Sequence, residues 1–168
     1  MIEKNSQTEK PRKKKIYYKP SKYIFVLWGY QFEPLPATIF VSELRKLGLR
    51  VKIVSPSVQK MTGNYGFALY HDMTLSKALE MTDKVSGVIV PCGYSGALRL
   101  RNDPRAYQLF ESVRAPILIG HIDQSRMDDL GLFPNHVIDD LIMYPENEDL
   151  IDFVPYIAHQ LWITSDDS

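Results

Sequence analysis

The chain has 168 residues, of which 45% are hydrophobic and 24% charged, a balance typical of one globular domain. No apolar run of about 18 residues occurs, and the first thirty positions carry lysines where a secretory signal would be apolar. The single cysteine, Cys92, excludes an intramolecular disulfide framework. We therefore expect a cytoplasmic protein with one core, no membrane insertion, no metal site and no cofactor.

The first 22 residues differ in charge from the rest of the chain. They hold eight Lys or Arg against two Glu and few large apolar side chains. We predict a disordered basic tail at 1–22, a folded domain at 23–163 and a disordered end at 164–168. Residues 12–15 are compatible with a solvated tail or with contact to nucleic acid, an anionic membrane surface or an acidic partner. They carry no base-reading element, so nucleic acid is not the expected partner.

The first predicted elements form a βαβ unit. The apolar run at residues 23–28 predicts a buried strand. Apolar residues at helical spacing over 37–47, followed by Gly48, predict a helix with a glycine stop. Residues 51–55 predict a second strand, and the crossover between the two strands should be right-handed.

The middle of the chain contains turn signals and a further strand. Gly63 and Gly66 predict a small antiparallel hairpin or bulged turn. Thr74 or Ser76 is placed to cap a short helix that ends near residue 81. Residues 87–91 predict another buried strand.

The second half continues the alternation of strands and helices. Asp103 and Pro104 predict the start of a helix. Residues 116–120 predict a strand and residues 137–143 a last strand. Residues 148–162 predict a terminal helix. This order predicts a three-layer, doubly wound α/β fold of flavodoxin type with a mostly parallel sheet. Ligands bind such sheets at the carboxyl ends of the strands, here at 29–33, 91–96 and 121–124.

Four segments resemble the PfpI-type proteins of the Parkinson protein DJ superfamily, whose fold is class I glutamine amidotransferase-like. Residues 29–33 are similar to the acidic turn whose glutamate lies beside a nucleophilic thiol. Residues 47–66 are similar to the G-x-x-V strand and its hairpin. Residues 87–93 are similar to the P-G-G strand end, and residues 115–121 to the strand that delivers the nucleophile.

The sequence departs from the family pattern at the nucleophile. The family has Cys-x-Gly in a strained turn, where this chain has His121, Ile122 and Asp123. Cys92 stands at the first glycine of the P-G-G element, where the family's backbone N–H groups hold an oxyanion. The family's second histidine and covering loop have no counterpart in the sequence.

Two candidate residues each permit two interpretations. In a pocket rimmed by Phe32, Tyr94 and His121, Glu33 would have a raised pKa and act as an acid or base; alternatively it is a carboxylate stabilised by a helix N-terminus. Cys92 is a relocated nucleophile or redox sensor, or a small buried residue. Nothing cationic adjoins Cys92 in sequence, which favours the second interpretation.

The remaining candidates complete a predicted ligand-binding set. The histidines show no metal-ligand spacing, and the glycines at 93 and 96 permit a weak anion-binding turn. The predicted ligand-binding residues are Glu33, Cys92, Gly93, Tyr94, His121 and Asp123.

The sequence supports two hypotheses of different class. In the first, the protein is a non-catalytic, homodimeric member of the family. It would bind a small molecule or a protein partner in a regulatory or stress-related role. In the second, it is a hydrolase, glyoxalase or lyase-type enzyme whose rebuilt site uses Glu33, Cys92 and His121 as catalytic residues.

Overall fold

A parallel sheet forms the centre of the computed structural model, which describes residues 17–18, 20–146 and 148–166. The six strands of this described part pair in the order β3-β2-β1-β4-β5-β6, and each pairing is parallel. The chain runs outward from β1 to β3 and then returns beside β1 as β4, so the winding reverses between β1 and β4. The predicted doubly wound sheet is confirmed. The strands are β1 Tyr23–Leu27, β2 Arg50–Ser55, β3 Met73–Thr74, β4 Val85–Val90, β5 Ile117–Ile119 and β6 Ile142–Met143.

Helices cover both faces of the sheet. Along β1, Ile24 and Val26 pack with α1 and α7, whereas Phe25 and Leu27 pack against the other helices. This period of two is the alternation expected of a strand that is buried on both faces. The helices are α1 Pro34–Lys46, α2 Leu75–Leu79, α3 Tyr94–Leu100, α4 Pro104–Ser112, α5 Gln124–Leu130, α6 Asn135–Ile138 and α7 Glu148–Asp166.

Three helix boundaries follow the local signals in the sequence. The Asp103 carboxylate accepts the backbone N–H of Arg105 at 3.0 Å at the start of α4. The Thr74 hydroxyl accepts the N–H of Lys77 at 3.4 Å at the start of α2. Gly48, just after α1, has a φ of 88°, which an L-residue adopts only with strain. These predicted caps are confirmed.

The structure corrects the prediction of a strand over residues 137–143. Val137 and Ile138 lie in α6, and only Ile142–Met143 forms a strand. The carbonyl of Pro134 accepts the N–H groups of Val137 and Ile138, so the chain turns into a helix directly after this proline. A short apolar run is compatible with either structure, which is why the pattern was misleading.

Other boundaries also differ from the sequence patterns. The expected hairpin is a short 3-10 turn at Asn64–Gly66 with one antiparallel bridge, between Thr62 and Ala68. Helix α5 was not predicted, because its apolar face consists of Met127 and Leu130 alone. Helix α7 continues to Asp166, past the predicted boundary at 163.

Most of the predicted basic tail lies outside the described residues. Tyr18, which belongs to the described part, contacts the folded domain. Its N–H donates to the carbonyl of Leu47 at 2.9 Å, and its ring lies 5.4 Å from that of Trp162. The disordered tail at 1–22 therefore stays a prediction, with its last residues close to the domain. Within the described ranges, no helix has the length and apolarity to cross a membrane.

Candidate functional site

The candidate site lies where the winding of the sheet reverses, and Glu33 is at its centre. The backbone N–H of Glu33 donates to the carbonyl of Pro91 at 2.8 Å, which joins the turn after β1 to the end of β4. Pro34 opens α1, so Glu33 is the N-cap residue of that helix, yet its side chain makes no capping hydrogen bond. The carboxylate is therefore left to face the cavity at this end of the sheet.

The turn that leads to Glu33 contains a strained backbone position. Gln31 has a φ of 61°, a left-handed conformation that is uncommon for a residue with a side chain. Its carbonyl oxygen lies 3.1 Å from the position that a Cβ on Gly96 would occupy. The turn and the first turn of α3 are therefore in close contact. Strain of this kind is often found at functional sites.

A cavity of about 720 Å³ opens beside Glu33. It combines two carboxylates with apolar and aromatic walls, and no Lys or Arg is among the described residues that line it. Its polar lining residues are Glu33, Thr38, Asn64, His121, Tyr144 and Glu146, and the other lining residues are Pro34, Leu35, Pro36, Tyr65, Phe67, Gly93, Gly120 and Pro145.

A second, smaller cavity of about 390 Å³ adjoins the first. The two share Glu33, Asn64, Gly93 and His121. The second cavity differs in charge because Arg126 lines it, with the guanidinium 4.9 Å from the centre of the Tyr94 ring. Its further lining residues are Gln31, Ser95, Gly96, Ile122 and Asp123.

The environment of Glu33 disfavours its ionised form. Partial burial raises the pKa of Glu33 most, and the charge of Glu146 raises it further. The hydroxyl of Tyr144 offsets part of this effect. Two carboxylates that face one cavity without a cation between them are destabilised by mutual repulsion, so this arrangement favours a positively charged or proton-donating ligand.

Tyr144 supplies a buried hydroxyl to the same cavity. Only 4% of the residue is exposed, and its ring packs edge-on against Phe40 at 5.2 Å. The hydroxyl lies close enough to Glu33 to affect the pKa of that carboxyl, yet no described residue is in hydrogen-bonding geometry with it. Burial raises the pKa of Tyr144, so the phenol stays neutral.

Cys92 lies beneath the cavity and does not line it. Its side chain is fully buried, and burial, followed by the charge of Glu33, raises the pKa of the thiol well above its ordinary value. The backbone N–H of Cys92 donates to the carbonyl of Val90 at 2.8 Å, so this N–H is not available to an oxyanion. These contacts agree with the interpretation of Cys92 as a small buried residue.

His121 lies at the mouth of both cavities, between β5 and α5. Its side chain is 64% exposed, and Nε2 lies 3.3 Å from an oxygen of Asp123, which is equally open to solvent. Gln31 and Tyr65 are the non-glycine residues with left-handed φ in the described chain, so the turn at His121 does not carry this kind of strain. The imidazole has free access to solvent and to ligands.

The structure brings together part of the predicted ligand-binding set. Glu33, Gly93 and His121 line both cavities, whereas Tyr94 and Asp123 line the second one only. The expectation that Phe32 rims the pocket is wrong, because its ring is buried against Trp28, with 6.4 Å between the ring centres. Among the residues described, no group of three or more His, Cys, Asp or Glu side chains is placed to hold a metal ion.

Two polar residues of the site were missed by the sequence analysis. Tyr144 and Glu146 directly follow β6 and reach the same cavity as Glu33. The rule that ligands bind at the carboxyl ends of parallel strands, applied to this last strand, would have identified them.

A model of the DJ-1/PfpI family matches residues 22–116, which is more than half of the chain. The chain belongs to the DJ-1/PfpI family. The match covers β1 to β4 and ends just before β5, so His121 and Tyr144 lie outside it. A search of curated proteins found no match.

Solved structures with the same fold are distant in sequence. DJ-1beta from Drosophila melanogaster is 15% identical, with a TM-score of 0.65 over 84% of this chain and 91% of that one. Oxidized DJ-1 from Toxoplasma gondii is also 15% identical, with a TM-score of 0.63 over 85% of this chain and 95% of that one.

A larger relative contains this fold as one of two domains. It is a protein from Anabaena variabilis with dj-1/thij/pfpi-like and ferritin-like domains, 16% identical, with a TM-score of 0.55 over 66% of this chain. The chain spans 32% of its length. At these identities the likeness concerns the fold alone.

Proposed function

We propose that this member of the DJ-1/PfpI family is a non-catalytic binding protein that holds a small molecule in the cavity beside Glu33. The observation that carries the proposal is the placement of Cys92, the only thiol of the chain, beneath the cavity and fully buried. A buried thiol with a raised pKa is neither accessible nor ionised at neutral pH, and the thiolate is the nucleophilic form.

The position of His121 supports the same proposal. A general base increases the rate only when a nucleophile or a bound water lies within its reach. His121 pairs with the exposed Asp123 at the surface, whereas Cys92 lies in the core.

Further parts of the proposal rest on family resemblance and composition. They are a regulatory or stress-related role, a cytoplasmic location, a homodimer, and an acidic partner for the basic residues at 12–15. A protein partner in place of a small molecule would use the same open end of the sheet.

The experiment is a turnover assay of the purified full-length protein with methylglyoxal, peptide and amide substrates. We expect rates equal to those of a heat-denatured control, because the one thiol of the chain is buried beneath the cavity. Clear turnover of any substrate by the wild-type protein would overturn the proposal.

A second function is favoured by one observation, the raised pKa of Glu33. A carboxyl group that keeps its proton to higher pH can serve as a general acid, so a hydrolase, glyoxalase or lyase-type reaction using Glu33, Cys92 and His121 is the alternative. If turnover is found, Cys92→Ala separates the two roles of the thiol. Lost activity would assign a catalytic role to Cys92, and unchanged activity would exclude it.

A further inference from the structure

The cavity beside Glu33 has the charge of a site for a cation. Glu33 and Glu146 both line it, and no described lining residue is a Lys or Arg that could neutralise them. The cationic Arg126 lines only the neighbouring cavity, where it lies against Tyr94. An anionic ligand would therefore meet two carboxylates without a compensating group.

The walls of the cavity add an apolar and aromatic surface. Tyr65 is 98% exposed and Phe67 is 43% exposed, and both line the cavity together with Leu35. Aromatic faces attract cations through the quadrupole of the ring, and they cover apolar groups equally well. Such walls fit a ligand with an apolar body better than a bare metal ion.

The buried hydroxyl of Tyr144 is a second and independent observation. It lies about 3.0 Å from the position of a Cβ on Gly120, another lining residue, and has no partner among the described groups. A buried polar group without a partner reduces stability, so its presence beside the cavity points to a ligand atom that completes its hydrogen bonding. A neutral phenol both accepts and donates, and it therefore fits between an N–H donor and a carboxylate.

We propose that the cavity takes an organic cation, a primary ammonium group on an apolar or aromatic body. The ammonium N–H groups donate to the Glu33 carboxylate and to the Tyr144 oxygen, with Glu146 adding charge at the rim. Tyr65, Phe67 and Leu35 contact the apolar body. This inference rests on the proposed function, since it names the ligand class of the same cavity.

The test is the binding of three probes of similar shape by isothermal titration of the full-length protein. The probes are 2-phenylethylammonium, the neutral 2-phenylethanol and the anionic 3-phenylpropanoate. We expect the ammonium compound to bind at least about tenfold more tightly than the neutral probe, because charge-assisted hydrogen bonds are the stronger ones. The anion should bind most weakly.

Variants locate the binding in this cavity. Glu33→Gln should weaken 2-phenylethylammonium binding about tenfold, and Glu146→Gln, at an exposed position, about twofold. Glu111→Gln is the matched control, because Glu111 is an exposed carboxylate on α4 and lines neither of the two cavities. It should leave the affinity unchanged.

Tyr144→Phe gives a readout that a structural role of the hydroxyl would not produce. It should weaken 2-phenylethylammonium binding about threefold and leave the Tm unchanged or higher, because the hydroxyl has no hydrogen-bond partner among the described residues. A lower Tm with unchanged binding would overturn the role given to Tyr144.

The outcomes separate this inference from the proposed function. Tighter binding of 3-phenylpropanoate or 2-phenylethanol would overturn the cation inference while the cavity remained a binding site. Absence of binding by all three probes would also overturn it. Turnover of a substrate, in contrast, would overturn the non-catalytic function. The titrations would still show whether the cavity prefers the cationic probe.

Discussion

The carboxylate of Glu33 lowers the stability of the folded state, although the proposed binding site depends on it. Its pKa is raised above the ordinary value of 4.5 by burial and by Glu146. Between the ordinary and the raised value, the folded state therefore binds more protons than the unfolded state. The free energy of unfolding must then fall as the pH rises through this range, so ionised Glu33 destabilises the fold at neutral pH.

Glu33→Gln should consequently stabilise the protein at neutral pH. Gln is neutral, so the substitution removes the burial of charge and the repulsion from Glu146. The expected result is a higher Tm than wild type at neutral pH and a difference that shrinks as the pH is lowered from the raised pKa toward 4.5 and is lost below 4.5. Thermal melts at a series of pH values measure both effects.

The control for this prediction is Glu111→Gln, at the exposed position on α4. It should change the free energy of unfolding by less than about 0.5 kcal/mol, and the Tm should therefore stay close to that of wild type. A Tm for Glu33→Gln that is lower than wild type at neutral pH would mean that the carboxylate forms a stabilising contact.

Some residues of the site could be predicted from the sequence and others could not, depending on how clearly the strand before each one appears in the sequence. Glu33, Gly93 and His121 follow strands with strong apolar patterns, so their place at the carboxyl edge could be predicted. Tyr144 and Glu146 follow a strand of two residues, Ile142–Met143, whose boundaries the apolar pattern did not give. The unpaired state of the Tyr144 hydroxyl depends on three-dimensional packing and leaves no sequence signal.

Among the elements, the loop between β2 and β3 forms one wall of the cavity. The indole N–H of Trp28 donates to the carbonyl of Met61 at 3.0 Å, and the N–H of Asn64 donates to the carbonyl of Phe32 at 2.9 Å. These bonds fix the segment that carries Tyr65 and Phe67. Gly63 lies between Met61 and Asn64, against the six-membered ring of the indole.

Gly63→Ala should displace this wall. The added Cβ would lie 2.4 Å from the Trp28 ring and 2.7 Å from the Phe32 carbonyl oxygen. Overpacking of this kind costs about 1–3 kcal/mol, so we expect a clearly lower Tm and weaker ligand binding. Chemical denaturation together with the probe titration measures the two effects.

Gly66→Ala is the matched comparison in the same loop. Gly66 has a φ of 72° and no atom within 4 Å of the added Cβ, so the substitution costs about 1–2 kcal/mol through backbone conformation alone. It should leave the affinity nearly unchanged. If Gly63→Ala bound the probe as well as Gly66→Ala does, the role of the loop as a cavity wall would be wrong.

Helices and strands could be predicted where residues close in sequence determine their ends. Asp103, Pro104 and Gly48 fix helix ends by hydrogen bonding or backbone conformation within a few residues, and these ends could be predicted. Helices α5 and α6 are short, and their apolar residues do not distinguish a helix from a strand or loop. Their structure depends on contacts with the rest of the core.

At the scale of the whole molecule, the reversal of winding between β1 and β4 creates the site. It brings the turn after β1 against the end of β4, so that Glu33 lies over the segment that contains Cys92. The same arrangement places the thiol in the core, packed against Gly96 of α3. A reagent can therefore reach Cys92 only when this part of the domain opens.

The most direct test of the account is the rate at which iodoacetamide alkylates Cys92 in the folded protein, relative to the protein in denaturant. Because exposure requires opening of the core, we predict a folded-state rate at least about a hundredfold lower. Mass spectrometry of intact protein measures both rates, and the chain has one thiol to follow. A folded-state rate equal to or above the unfolded rate would identify an activated thiolate and contradict the non-catalytic account.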